Sequence, residues 1–230
     1  MKKNNLDIFN INLTFSDLSF LYNQISLNRS FMRASHNLFL KKKLNIKGLT
    51  ADLGSGINND YYNYISKNRL KVDQYDFHKI DKKAFVLDLE KKFKLKKNYN
   101  NILLFNVLEH IFDGKTLLNS IKKNLKKEGK LNLFVPFMFR FHSDPNDFMR
   151  PTHSYLKKIL EQNGFKVQIT LIAVGPMVVI LEILFKYLKL NIFKLLFSVL
   201  FISLNKFFNY FSKDFKNYYC GTHCSCTKIK

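Results

Sequence analysis

The feature that most constrains this chain is an apolar run, Leu49–Leu53, that breaks directly into Gly54-Ser55-Gly56. A strand that turns sharply into a helix needs glycine there, because a side chain would block both the turn and any ligand lying on it. Further short apolar runs stand at Leu70–Asp73, Ala84–Asp88, Ile102–Phe105, Leu131–Val135 and Phe165–Ile172. Helical patterns lie between them. Asp113 is placed to cap a helix with Leu117, Leu118, Ile121 and Leu125 on one face and Gly129 as its stop. Thr152 is placed to cap another, with Tyr155, Leu156, Ile159 and Leu160 on one face and Gly164 as its stop. Strands alternating with helices read as βαβ units, so the fold class is α/β with a mostly parallel sheet.

The chain divides into three zones: a helical segment over 1–47 that Asp17 could cap, with Leu18, Leu21, Tyr22 and Ile25 at helical spacing; an α/β core over 48–172; and an apolar region with a short tail over 173–230. The length, 230 residues, suits one such domain with a modest appendage, and a hydrophobic content of 47% rules out a disordered chain. Met1–Asn5 is basic, but Asp7, Asn10, Asn12 and Asp17 interrupt the residues after it, so no signal peptide is expected. The three cysteines cluster at the end and make no disulfide framework. A reducing cytoplasm is the expectation.

Several motifs carry chemistry. Asp52 precedes the glycine turn, and Asp73 closes the next apolar run, where a carboxylate can accept hydrogen bonds from both hydroxyls of a ribose. A dinucleotide fingerprint would want a small residue three places after the second glycine, and Asn59 stands there instead. Asn106-Val107-Leu108-Glu109-His110-Ile111 comes after the fourth run. Val135-Pro136-Phe137 comes after the fifth, and His142-Ser143-Asp144-Pro145-Asn146-Asp147-Phe148-Met149-Arg150 precedes the Thr152 helix and Gly164-Phe165.

In this order the motifs resemble the class I methyltransferases that use S-adenosylmethionine, in the small-molecule branch that carries a VLEHI run after strand four. The resemblance covers about residues 48–170. It implies a Rossmann-like sheet of seven strands, the last antiparallel, with the apolar region as a helical insertion. It also implies a cofactor site: Asp52, Gly54, Ser55 and Gly56 as the loop, Asp73 at the ribose, Asp88 at the adenine amino group with Leu89 lining the ring, and Asn106 and Val107 as the floor. Val135-Pro136-Phe137 would close the substrate side. Two positions depart from the pattern: Asn58, where many members have a third glycine, and Glu128, where the first glycine of a pair precedes strand five.

The expected function is methyl transfer from S-adenosylmethionine to a small-molecule or lipid-linked acceptor, most simply a sugar or phenol-like hydroxyl. A hydroxyl nucleophile benefits from a base, and His142 and His110 are the candidate catalytic groups. The alternatives are a structural histidine at a helix start for His110 and a loop-ordering histidine for His142. Asp147 and Arg150 either bind substrate or pair with each other. Two other functions stay open: a nicotinamide-dependent oxidoreductase, and a degenerate membrane-associated scaffold, which only Asn58 and Glu128 favour.

The net charge is +21, almost all from lysine spread along the chain, which reads first as a solvated surface. No zinc-finger spacing or RNP-type strand marks a specific nucleic-acid partner. Cys220, His223, Cys224 and Cys226 are ligand types packed too closely for the usual finger, so no metal is assigned. Over residues 174–211 two apolar helices bordered by Lys186, Lys189, Lys194 and Lys206 are expected. Pro176 and the charges interrupt them short of a spanning length, which fits peripheral contact at the inner face of a membrane; a packed insertion or dimer face is the plainer reading.

Overall fold

The computed structural model describes residues 6–57, 59–66, 70–79 and 83–229; Asn58 lies outside them. Strands β2 (Thr50–Leu53), β3 (Val72–Asp76), β4 (Phe85–Val86), β5 (Tyr99–Phe105), β6 (Leu125–Pro136), β7 (Phe165–Val174) and β8 (Tyr219–Lys228) form one sheet with β1 (Leu6–Phe9). Its order is β1-β7-β8-β6-β5-β2-β3-β4. β8 runs antiparallel between β6 and β7, and every other pairing is parallel. This is a Rossmann-like, mostly parallel sheet. It has eight strands, not seven, because the N-terminal segment, helical by its pattern, begins with β1, which pairs in parallel with β7 and ties Asp7 to Gln168 Nε2 at 2.9 Å.

Helices α1 (Phe15–Ser26), α2 (Phe31–Lys43), α5 (Pro176–Phe185) and α6 (Asn191–Phe211) bury Leu21, Ile25, Leu38, Leu40, Val178, Leu181 and Ile202 in one core. Helices α3 (Gly114–Asn124) and α4 (His153–Gln162) bury Leu117, Leu118, Ile121, Leu156 and Leu160 in a second. The period-2 alternation of β5 separates the two: Ile102 and Leu104 enter the α3–α4 core, Leu103 and Phe105 the other.

The caps expected of Asp113 and Thr152 form: Asp113 Oδ1 accepts from Thr116 N at 3.0 Å and Thr152 Oγ1 from Tyr155 N at 3.3 Å. Three local expectations change. Thr14 caps α1, accepting from Asp17 N, while Asp17 is buried in the first turn and pairs with Lys42 at 2.5 Å. Gly129 does not stop α3, which ends at Asn124 and runs straight into β6. Glu128, where a glycine is usual, adopts φ 59, the left-handed region glycine favours. Finally, β3 lies later than the apolar run Leu70–Val72 indicates: Thr50 pairs with Val72 and Leu53 with Tyr75, so the strand continues through Gln74 and Tyr75 to Asp76.

The apolar region does form two helices between β7 and β8. α6 is longer than expected, 21 residues with an 18-residue window of mean hydropathy 1.4, enough by length and composition to span a membrane. Lysine is a good helix former, so Lys194 and Lys206 sit within the helix and do not interrupt it. Only Ser198, Ile202 and Asn205 of α6 are buried, a seam at helical spacing that packs on α1 and α5. Asn205 Nδ2 donates to Val174 O at 2.9 Å.

Candidate active site

The chain passes from β2 outward through β3 to β4, then returns to β5 on the other side. In open α/β sheets such a reversal opens a crevice beyond the carboxyl ends of the strands, and ligands bind there. The β2 turn stands at this point. Gly54 has φ +69, and a Cβ on it would lie 2.4 Å from Val107 Cγ2, at the end of β5. Gly54 N donates to Tyr75 O at 2.8 Å. Ser55 is buried, and its hydroxyl has no hydrogen-bond partner.

The acid beside this turn is Asp76. Gly56 N donates to Asp76 Oδ2 at 2.9 Å and His78 N to Asp76 Oδ1 at 3.2 Å. Asp73, expected at the ribose, lies elsewhere: it is level with Ala51, at the start of β3, where it accepts from Tyr99 OH at 2.8 Å and faces Lys97 at 3.4 Å. The physical reason is the strand register, which continues three residues past Asp73 before reaching the crevice. Asp88 does lie just past the end of β4. It accepts from Glu90 N at 3.0 Å and pairs with Lys91 at 2.9 Å, which holds its carboxyl below the ordinary range. Leu89 beside it is buried. Asn106 ends β5 in the left-handed region, φ 55, its N–H donating to Phe134 O at 2.9 Å.

Asp52 is buried. Its Oδ2 accepts from Tyr61 OH and from Tyr62 OH at 2.5 Å, both on a short 3-10 turn over Asp60–Asn63. Burial raises its pKa to about 7 against the lowering effect of these two bonds. Arg29 pairs with Asp60 at 2.9 Å and so ties this turn to the connection between α1 and α2. No sequence motif singles out Tyr61, Tyr62, Arg29 or Asp60. The one signal for them is a tyrosine pair close behind a glycine turn.

On the other side of Val107, the turn Leu108–His110 carries Glu109 and His110, and the long loop after β6 brings His142 to them. Glu109 has no exposed surface, and neither carboxylate oxygen has a hydrogen-bond partner. Burial raises its pKa to about 8. Glu109 Oε1 lies 3.8 Å from His110 Nε2 and 4.0 Å from His142 Nε2. The two imidazoles meet edge to face with centroids 5.0 Å apart. Burial lowers the pKa of His142. The sequence marks both histidines as candidates but not Glu109, the group they converge on.

Asp147 and Arg150 form a two-bond ion pair with each other. Arg150 spends its remaining donors on the carbonyls of Arg140, Met149 and Phe139, and Asp147 Oδ2 also accepts from His142 N at 2.8 Å. The pair with Arg150 pulls the Asp147 pKa down to about 2. These two residues therefore hold the His142 loop in shape, in place of offering free groups to a substrate. The cysteine-rich tail is spread across β8: His223 packs at a tilt against His36, Phe39 and Phe105, while Cys224 and Cys226 enter the α3–α4 core. Burial raises the Cys224 thiol pKa to about 12.

No protein-family model matches the chain, and no curated protein matches its sequence. Solved structures do resemble it. The [4+2]-cyclase SpnF aligns over 87% of this chain and 84% of its own, with a TM-score of 0.56 and 10% identity. A methyltransferase from Archaeoglobus fulgidus that depends on S-adenosylmethionine aligns over 90% and 94%, at 0.55 and 13%. Phosphoethanolamine N-methyltransferase 2 of Haemonchus contortus, solved with S-adenosyl-L-methionine, aligns over 94% of this chain but only 58% of that longer one, at 0.53 and 15%. At these identities the likeness establishes the fold.

Proposed function

We propose that this chain transfers a methyl group from S-adenosylmethionine to a hydroxyl of a small or lipid-linked acceptor. One observation carries the reading: Asp76 and Asp88 stand at the carboxyl ends of neighbouring strands, beside a glycine turn pressed against Val107. The local groups fit the cofactor. Asp76 suits the ribose hydroxyls, Asp88 the adenine amino group with Leu89 along the ring, and the unpartnered Ser55 hydroxyl and the bare turn at Gly54 and Gly56 suit the methionine end. When bound, the cofactor supplies an electrophilic methyl on a sulfonium. The chain's own task is to hold the acceptor in line and exclude water. His142 and His110 turn their Nε2 atoms toward Glu109 on the acceptor side of Val107, and these imidazoles are the groups that accept the acceptor's proton.

Folds host several chemistries, and SpnF, by its name a cyclase, shares this one. The test is therefore the reaction. Protein incubated with methyl-labelled S-adenosylmethionine and a pool of metabolites and glycolipids, followed by mass spectrometry, is expected to yield a labelled product and S-adenosylhomocysteine. Turnover no higher than in a protein-free control, despite bound cofactor, would refute it.

The acceptor's lipid linkage is suggested by the α5–α6 pair. Ile180, Ile183, Tyr187, Leu190, Phe193, Leu196 and Leu200 are exposed beside Lys186, Lys189 and Lys194. Such a face suits the headgroup boundary of an anionic leaflet, where each basic residue adds about 1 kcal/mol. Lying on the surface, and not crossing it, keeps the α6 seam on α1 and α5 intact. The test is sedimentation with anionic liposomes at low salt. The chain is expected to sediment and the Leu196→Asp/Leu200→Asp variant to remain in solution, and failure of the unaltered chain to sediment would end this reading. Deleting the whole region is not a clean test, because α5 buries Val178, Leu181 and Phe185 in the core.

A further inference from the structure

We infer that Glu109, His110 and His142 bind a divalent transition-metal cation. The ligand atoms, one from each residue, all lie within 4.8 Å of one another. The two separations from Glu109 Oε1, 3.8 and 4.0 Å, are too long for hydrogen bonds. Atoms that share one tetrahedral cation at about 2.0–2.2 Å from each stand about 3.3–3.6 Å apart, so side-chain shifts of a few tenths of an ångström or more would draw these three onto one ion.

The surroundings prepare these atoms for a metal. Glu109 is a buried carboxylate with both oxygens unpartnered, an arrangement that ordinarily means something else satisfies them. Arg33 and Arg150 act on it only at a distance, without a bond. His110 Nδ1 is hydrogen-bonded to the carbonyl of Asn146, which must be the acceptor, so the proton sits on Nδ1 and the Nε2 lone pair is free. His142 Nδ1 lies 3.3 Å from the Arg140 carbonyl and 3.5 Å from Asp147 Oδ2, which fixes the same tautomer. Arg150 Nη2 is also 3.3 Å from that nitrogen, but its two protons go to Asp147 Oδ2 at 2.5 Å and Arg140 O at 3.0 Å. The Asp147–Arg150 pair thereby orients a ligand.

Two imidazoles and one carboxylate, drawn from the Leu108–His110 turn and the loop after β6, leave coordination positions open, the pattern of catalytic zinc sites and of two-histidine, one-carboxylate iron sites. The His142 side chain is 30% exposed, so the cluster is reachable from solvent. Resting on the methyl-transfer reading, the cation has a role there. An acceptor hydroxyl held by the cation would be more acidic, so that its proton could pass to water while the electron pair remained on the oxygen. In the metal-bound chain the two imidazoles are ligands, and their role as base belongs to the metal-free chain.

The test uses the full chain, stripped with chelator and titrated with Co²⁺, then Zn²⁺. One Co²⁺ per chain is expected, with visible ligand-field bands, displaced by Zn²⁺. Glu109→Gln and His142→Gln should each weaken Co²⁺ binding by more than about 10-fold, with S-adenosylmethionine affinity by calorimetry unchanged in Glu109→Gln. That second readout shows the variant is folded and separates failure of the metal site from failure of the cofactor reading. No stoichiometric Co²⁺, binding unaltered in both variants, or a thiolate charge-transfer band that places the metal on the cysteines would each overturn the inference.

Discussion

Replacing Gly54 by alanine tests the geometry on which the crevice depends. Two costs arise. At φ +69 an L-residue is disfavoured by about 1–2 kcal/mol. The new Cβ would also stand 2.4 Å from Val107 Cγ2, about an ångström inside ordinary contact. Val107 is buried and β-branched, so it cannot swing aside cheaply, and overpacking of this kind costs about 1–3 kcal/mol. The total, about 2–5 kcal/mol, is a large part of a typical domain stability of about 5–15 kcal/mol, so the variant should fold but unfold at clearly lower urea. Urea denaturation of Gly54→Ala, Val107→Ala and the double variant separates the two terms. In the Val107→Ala background the Gly54→Ala change should cost only the dihedral part, about 1–2 kcal/mol. An equal cost in both backgrounds would refute the collision, and a silent Gly54→Ala would refute the turn itself.

Two buried groups should respond to pH with opposite signs. Burial holds His223 neutral, with its pKa near 3, so native stability relative to His223→Gln falls by about 1.4 kcal/mol per unit as pH drops below the unfolded value of about 6.5. Asp52 is raised to about 7, so its contribution is present below the unfolded value of about 4 and declines as pH rises toward 7; Asp52→Asn should gain on the unaltered chain by a similar slope across that window. Urea midpoints from pH 4 to 8 check both, and flat differences would show that these groups are solvated. Asp147→Asn should lower turnover without changing S-adenosylmethionine affinity, because it loosens the His142 loop and leaves the cofactor side alone; steady-state kinetics with calorimetry decides, and an affinity loss would place the residue on the wrong side of the site.

Much of the fold is legible in the sequence because local chemistry dictates it. The glycine turn and the Asp113 and Thr152 caps rest on what single residues or short periods allow, whereas the antiparallel tail is implied only by the family resemblance. The rest depends on pairing partners far away in sequence. Asp73 and Asp76 are three residues apart on one strand, and only the register with β2 decides which of them reaches the crevice. β1 is four residues long and exists because the β7 edge is there to receive it. In the sequence Glu109 is one letter of a motif, and its isolation from every hydrogen-bond partner emerges only when the loop after β6 folds back to bring His142 beside it. Tyr61 and Tyr62 obey the same logic: nothing local announces that they close over Asp52.

The most direct test of the cofactor site is titration calorimetry of S-adenosylmethionine against the unaltered chain, Asp76→Ala and Asp73→Ala. The unaltered chain and Asp73→Ala are expected to bind alike, because Asp73 faces Tyr99 and Lys97 away from the crevice, and Asp76→Ala to bind at least about 10-fold more weakly, the equivalent of about 1.4 kcal/mol. A folded chain that does not bind S-adenosylmethionine, or a loss at Asp73 with none at Asp76, would contradict it.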